Sequence, residues 1–240
     1  MVSVIIPTYN EERRIMRILR SLKLASGDFE VLVADGASSD RTREAVEEAA
    51  LGFPRRLEFL ALARPRAAQL NRAAKQARGE VFCFLHADLR VPATGIEAMA
   101  SALKDSQIVG GNFRIRFEGE SGWNRFFTWA YNVRRHFGIY YGDSGVFIRR
   151  DVFFQMDGFK PIPIMDDYEF IRRLERAGRT VCLDPELVVS DRRWRLDGGL
   201  HTLLTWTRIQ ALYSLGVSPE RLDRWYNPVR EPARSPDAQE

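Results

Sequence analysis

The residues able to do chemistry stand mostly just after short apolar runs. Asp88 follows Val81-Phe82-Cys83-Phe84-Leu85, with His86 and Ala87 between. One carboxylate, with phosphate oxygens and water, is a common way to hold Mg²⁺ or Mn²⁺ on a nucleotide diphosphate. His86 offers a nitrogen ligand better suited to Mn²⁺ than to Mg²⁺, or a hydrogen bond to a ribose or to Asp88. The plainer alternative is that His86 packs under a loop and Asp88 caps a turn. Asp35, before Gly36, has the chemistry to receive a uracil imide N–H or a ribose hydroxyl; an Asx-turn is the alternative. Asp166 and Asp167 are adjacent acids ahead of a helical pattern. Carboxylates so close repel, which raises the pKa of one. A general base beside a sugar acceptor is a natural use, and helix capping is the other.

Basic and aromatic residues complete the inventory. "RPRAAQLN" sets Arg64 and Arg66 at a helix start, with Gln69 and Asn71 following. Arginines there grip phosphate oxygens with help from the helix amides, or form a solvated basic turn. Asp143 lies in the glycine-flanked turn "YYGDSG" among aromatics, a combination that holds sugars or polyols and also makes plain tight turns. In "SDRRWR", Arg192, Arg193 and Arg195 surround Trp194, either to close over a pyrophosphate or ligand ring or as a surface basic run.

The elements that must position these residues alternate in the first half. Strands are expected at Val2–Ile6, stopped by Pro7, and at Phe29–Ala34, Leu57–Leu62 and Val81–Leu85. Helices fall between them. One is capped by Asn10, carries Ile15, Ile18, Leu19 and Leu22 inward and ends at Gly27. Others run from Ser39 or Asp40 to about Ala50, over Arg66–Ala77 and over Thr94–Leu103. This order implies an α/β, Rossmann-like, mostly parallel sheet with flanking helices. Ligands of such sheets bind beyond the strands' carboxyl ends. Thr8-Tyr9-Asn10-Glu11, Asp35-Gly36 and His86-Ala87-Asp88 all fall there. The second half is less regular. A half-buried strand follows Val109, Trp123–Phe137 is helical, and further helices start near Asp166 and cover Leu200–Leu215. The last of these is either core or a membrane-facing surface.

Composition narrows the class. At 45% hydrophobic and 28% charged, the 240 residues suit a globular chain. The net charge of +4 suits an anionic ligand or lipid head groups and does not by itself indicate nucleic acid. Cys83 and Cys182 lie in apolar runs and read as free thiols of a reducing cytoplasm. No window is long and apolar enough for a membrane span. The expected location is the cytoplasm, with attachment to the inner face of the cell membrane left open. G-x-G-x-x-G and P-loop signatures are absent, which disfavours NAD binding and P-loop chemistry.

The ordered set "VSVIIPTYNEE", "VLVADGASSDRT", "AAQLNRAAKQARGEVFCFLHADLRV", "GDSGVFIRR", "MDDYEFIRRLERAG" and "SDRRW" resembles family 2 glycosyltransferases of GT-A fold, in a small bacterial branch with FLHAD and GDQG-like motifs. The resemblance implies one domain over residues 1–226, with a nucleotide-sugar-binding half to 105, a C-terminal acceptor-side region from 106, and a flexible tail over 227–240. It implies transfer from a nucleotide diphosphate sugar, UDP- or GDP-linked, to the hydroxyl of a small or lipid-linked acceptor, with inversion. Thr8, Tyr9 and Glu11 would border base and ribose, and Asp35 would bind the base. Asp88 would ligate Mg²⁺ or Mn²⁺. Asp167 would be the base with Asp166 beside it. Asp143 and the aromatic segment, with Trp194, would shape the acceptor site, and Arg64, Arg66 and Arg193 would hold phosphate. His86 stands where many members carry a first aspartate, Asp166 replaces a glutamate, and Ser144 a glutamine. The competing readings are a sugar-nucleotide pyrophosphorylase and a non-catalytic nucleotide-sugar binder or membrane-associated partner subunit.

Overall fold

The computed structural model describes residues 1–226, so the expected tail over 227–240 lies outside them. The elements are β1 (Val2–Thr8), α1 (Ile15–Lys23), β2 (Phe29–Asp35), α2 (Thr42–Leu51), β3 (Leu57–Ala61), α3 (Arg66–Gln76) and β4 (Val81–Phe84). Then come α4 (Gly95–Ala102), β5 (Ile108–Phe117), α5 (Gly122–Arg135), β6 (Val146–Arg149), α6 (Arg150–Gln155), α7 (Asp166–Ala177) and β7 (Arg179–Val189). The helices α8 (Arg192–Asp197), α9 (Gly199–Ser214) and α10 (Pro219–Trp225) close the described chain. Contacts group the chain into two compact units, Met1–Ser190 and a second beginning at Asp191.

In the first unit seven strands form one sheet in the order β3-β2-β1-β4-β6-β5-β7. All neighbours are parallel except β6, which runs antiparallel to both β4 and β5. The result is the mostly parallel α/β sheet expected. β1, β2 and β4 are buried almost throughout, which fits their unbroken apolar sequences. On one face Ile5, Leu32, Phe82 and Phe84 meet Leu70 and Ala73 of α3, Phe153 of α6 and Phe170 and Ile171 of α7. Phe159 stacks on Phe170 at 4.1 Å and meets Phe84 edge-on at 4.9 Å. Each edge-on or offset aromatic pair adds about 1 kcal/mol beyond its burial. This core fixes the starts of α3 and α7 against the end of β4.

Several expected boundaries move. β1 runs past Pro7 to Thr8, because its pairing with β4 ends at Ile5 and no amide is needed there on that side. Asn10 does not cap α1. It takes a left-handed φ of 56° and its side chain accepts from the Ser39 amide, so the helix waits until Ile15. That helix ends at Lys23 rather than at Gly27. The strand β7 was not expected. Asp184-Pro185 interrupts its pattern, and a register shift against Phe113/Arg114 accommodates the break. Both cysteines are free, Cys83 buried and Cys182 half-buried.

In the second unit Trp194 is buried edge-on to Trp206, their centroids 6.3 Å apart. The Arg193 guanidinium lies 4.6 Å from the Tyr226 ring and 5.6 Å from Trp206. Leu200 and Leu204 of α9 are exposed. No described helix is long and apolar enough to cross a membrane.

Candidate active site

Two clusters form at the carboxyl ends of the parallel strands. The first joins β1, β2, β3 and the start of α3. Asp35 is buried and accepts from the Thr8 hydroxyl at 2.9 Å, the Ser38 amide at 2.8 Å and the Ser38 hydroxyl at 2.5 Å. Its carboxylate therefore makes an Asx-turn and still has capacity for one further donor. Buried Gln69 donates to Thr8 O at 3.0 Å and Ala34 O at 2.9 Å, which ties the ends of β1 and β2 to α3. Arg64 lies 4.1 Å over the Tyr9 ring. Glu11 pairs with Arg14 at 2.9 Å, and its amide donates to Thr42. The loops after β1 and β2 are thus laced together around Thr8, Tyr9 and Asp35.

The second cluster joins α3, β4, the turn Gly142–Ser144 and the start of α7. Arg66 Nη1 donates to both oxygens of Asp166, at 3.0 and 3.2 Å. Its Nη2 lies 3.0 Å from His86 Nε2. An arginine only donates, so Nε2 accepts and the neutral ring carries its proton on Nδ1. Burial, together with the Arg66 charge, pushes the His86 pKa down to about 4, against a smaller opposing pull from Asp88 and Asp167. Ala87 is buried between His86 and Asp88, both half-buried.

Asp167 Oδ2 accepts from the Gly142 amide at 2.8 Å and Oδ1 from the Tyr168 amide at 2.7 Å. A Cβ on Gly142 would stand 3.0 Å from both Arg66 Nη2 and Asp167 Oδ2, so any larger residue would have to displace these two side chains. Next to it, Asp143 keeps a buried Oδ1 that has no hydrogen-bond partner among the described residues. Burial first, then the charges of Asp167 and Asp88, raise the Asp143 pKa to about 7, with a hydrogen bond from Tyr131 opposing. Burial also raises the pKa of Asp166; Arg66 opposes this and Asp167 adds to it.

Four carboxylates, Asp88, Asp143, Asp166 and Asp167, therefore share one guanidinium and a neutral imidazole. That surplus of negative charge, with the partnerless Asp143 oxygen, fits a divalent cation arriving with a diphosphate. No three ligating side chains among the described residues stand together to hold an ion alone, so ligand oxygens would have to complete the shell.

Asn71 donates to Phe159 O at 2.8 Å and accepts from the Phe159 amide at 2.9 Å, which engages both ends of its amide in holding the approach to α7. Arg193 and Trp194 belong to the second unit. Sequence reasoning missed the Arg66–Asp166 pair, whose members are a hundred residues apart. It missed Ser38 as a partner of Asp35, although "DGAS" has Asx-turn spacing. It grouped Tyr131 with an aromatic segment without seeing that it reaches Asp143.

A mostly parallel α/β sheet takes its ligands beyond the carboxyl ends of its strands, where these acidic groups lie, and the comparisons narrow the class. The family model described as glycosyl transferase family 2 matches residues 3–167, and the chain belongs to that family. It is 30% identical over 125 residues to the dolichol-phosphate mannosyltransferase of Pyrococcus furiosus, covering 51% of this chain and 36% of that one. It is 29% identical over 157 residues to the undecaprenyl-phosphate 4-deoxy-4-formamido-L-arabinose transferase of Pseudomonas aeruginosa, covering 62% and 46%. The chain thus spans half or less of the length of these curated relatives. Among solved structures, the mannosyltransferase PcManGT of Pyrobaculum calidifontis in complex with GDP-Man and Mn²⁺ superposes with a TM-score of 0.64 at 23% identity, over 93% of this chain and 67% of that one. S. aureus TarS 1–349 in complex with UDP-GlcNAc gives 0.64 at 20% identity, over 80% and 59%. The fold is GT-A. Membership of this family removes the reason to prefer a pyrophosphorylase.

Proposed function

We propose that the chain transfers a sugar from a UDP- or GDP-linked donor to the hydroxyl of an acceptor, with inversion at the anomeric carbon. The observation that carries this is the meeting of Arg66, His86, Asp88, Asp143, Asp166 and Asp167 at the strand ends, beside the turn of Asp35. In this reading the remaining acceptor site of Asp35 takes a base or ribose donor, and Tyr9, stacked under Arg64, borders the base. Asp88, with phosphate oxygens, would hold Mg²⁺ or Mn²⁺, whose positive charge would offset the negative charge of the departing nucleotide diphosphate.

The two adjacent acids divide the work. Both oxygens of Asp166 face Arg66, so it positions that guanidinium. Asp167 has one amide donor on each oxygen and keeps a lone pair on each for the acceptor proton. His86 presents an Nδ1–H and so serves as a hydrogen-bond donor to the nucleotide rather than as a metal ligand. Asp143 and Tyr131 line the acceptor side. The names of the curated relatives, both polyprenol-phosphate transferases, support a lipid-linked acceptor.

The test is a thermal-shift titration with UDP, GDP, TDP and CDP, with and without Mn²⁺, on the wild type and Asp88→Ala. Ligands that bind the native state raise its melting temperature by mass action. One nucleotide should give a Mn²⁺-dependent shift that Asp88→Ala loses. A folded protein that responds to none of them would sink the donor-site reading. Nucleotide binding without sugar transfer or donor hydrolysis would favour a non-catalytic binder.

A further inference from the structure

The outer face of α5 is apolar and uncovered. Trp123 and Phe126 are each 38% exposed, Trp129 is 62% exposed, Val133 recurs on the same face, and Phe137 just beyond the helix is 73% exposed. At about 100° per residue these side chains fall within one third of the helix circumference. Exposed aromatics gathered on one helix are unlike the scattered apolar residues of an ordinary surface and mark a contact with something else.

The charge around this face selects the partner. No Asp or Glu occurs between Gly122 and Phe137, whereas Arg125, Arg134, Arg135 and His136 do. By helical position Arg125 and His136 flank one edge of the apolar face and Arg134 the other. Arg135 turns inward to Asn112 and Thr180. An aromatic stripe edged by Arg125 and Arg134, on a helix without an acid, matches a bilayer with anionic head groups, into which tryptophan and phenylalanine sink while arginine meets phosphate. The inner face of the same helix is committed to the fold. Ser121 caps it through the Asn124 amide, Phe127 is buried, and Tyr131 packs edge-on to Phe117 at 5.2 Å and reaches Asp143.

We propose that α5 is a membrane-docking helix that rests its Trp123–Phe126–Trp129–Val133 face in an anionic lipid surface and sets the Asp143 side of the site at that surface. The inference deepens the lipid-linked acceptor reading and rests on it for its purpose. The sequence alone offered the helix around Trp206 as a membrane-facing surface, as an alternative to core.

The experiment is co-sedimentation with vesicles of phosphatidylcholine, with and without phosphatidylglycerol. It compares the wild type, the double variant Phe126→Ser/Trp129→Ser, the single variant Phe137→Ser, and Leu200→Ser/Leu204→Ser in α9. Wild type should bind the phosphatidylglycerol vesicles with a blue shift of tryptophan emission. The double variant should lose about tenfold in partition, the single variant less, and the α9 variant little. Light scattering and thermal melting of each variant show that folding and oligomeric state are unchanged. Absence of vesicle binding, equal binding by the α5 variants, or loss only in the α9 variant would overturn the proposal. So would a wild-type dimer that becomes a monomer in the double variant, since a second copy would then cover the face. The nucleotide thermal shift on the same samples separates the two claims. Vesicle binding without any nucleotide response leaves α5 as the docking surface and removes the transferase reading.

Discussion

Arg66 holds both oxygens of Asp166 with a single amino nitrogen, at 3.0 and 3.2 Å, and keeps its other amino nitrogen for His86. One side chain thus sets an acid on α7 and a tautomer after β4. Arg66→Gln should leave Asp166 buried without its cation and cost about 2–3 kcal/mol, read as a fall in melting temperature. Arg66→Lys keeps a charge but loses the forked geometry. It should fold more nearly as wild type, yet lose about a hundredfold in transfer. Equal activity of the Lys variant and wild type would remove His86 from the arrangement.

Asp166 and Asp167 should respond differently. Asp167→Asn should lower the turnover of sugar transfer by about 10²–10⁴-fold, the usual contribution of a general base. It should leave the nucleotide thermal shift in place. Asp166→Asn should act mainly through Arg66 and lose less turnover but more stability. Equal losses of turnover in the two would mean that Asp167 is not the proton acceptor.

A buried acid at the opposite end of the sheet should contribute to acid stability. Glu30 is buried and accepts from the Ser3 hydroxyl and the Arg78 amide, both at 2.6 Å, and from Arg56. Burial pushes its pKa up, but these donors together outweigh burial and hold it below the ordinary glutamate value. Because the folded value lies below the unfolded one, the stabilisation is fully present above the unfolded pKa. It is lost as pH falls through the folded pKa. Glu30→Gln should cost about 1–3 kcal/mol at pH 7. Melting curves from pH 7 down to pH 3 should show the gap between wild type and variant closing with acidity. A constant gap would assign the cost to packing instead.

Two glycines of the turn before β6 should separate fold from site. Gly145 has a left-handed φ of 67°, and a Cβ there would lie 2.4 Å from Leu187 Cδ1. Gly145→Ala should therefore cost about 2 kcal/mol or more in stability. Gly142→Ala meets the ends of Arg66 and Asp167 at 3.0 Å and Asp167 Cβ at 3.2 Å, with no backbone among them. Its melting temperature should fall less while activity falls more. The reverse order would mean that the turn does not set the Asp167 geometry.

Asp143→Asn should raise the melting temperature of the metal-free protein at pH 8, because it removes a like charge from among Asp88 and Asp167. The same change should weaken the response to Mn²⁺ and nucleotide together. A lower melting temperature without metal would show that the cluster is not strained by its own charge.

Much of this was legible from residue order. Unbroken apolar runs placed β1, β2 and β4, and with them Thr8, Asp35 and Asp88 at strand ends, because a strand buried on both faces leaves little choice of sequence. The spacing of Phe170, Ile171 and Leu174 gave the buried side of α7, and all three are fully buried. β7 was hidden by Pro185, and the short helices α6, α8 and α10 carry too few turns to show a period. Asn10 looked like a helix cap, but long-range bonding to Ser39 won over local propensity. The partners of Arg66 and Tyr131 were illegible for a different reason. They depend on which strand ends the sheet order brings together, and no local pattern encodes that.

The reversed strand β6 has a consequence for how such a site can change. Phe84 pairs with Val146, so the entry of β6 lies beside the exit of β4. Asp88 follows the end of β4 by four residues. Asp143 arrives before its strand, at the end of the connection from α5. The reach of Asp143 is therefore set by the length of residues 136–141 as well as by the register of β6. In the proposed reading, lengthening or shortening that connection would retune what the acceptor side admits, while Asp35 and Asp88 keep the places assigned to the nucleotide.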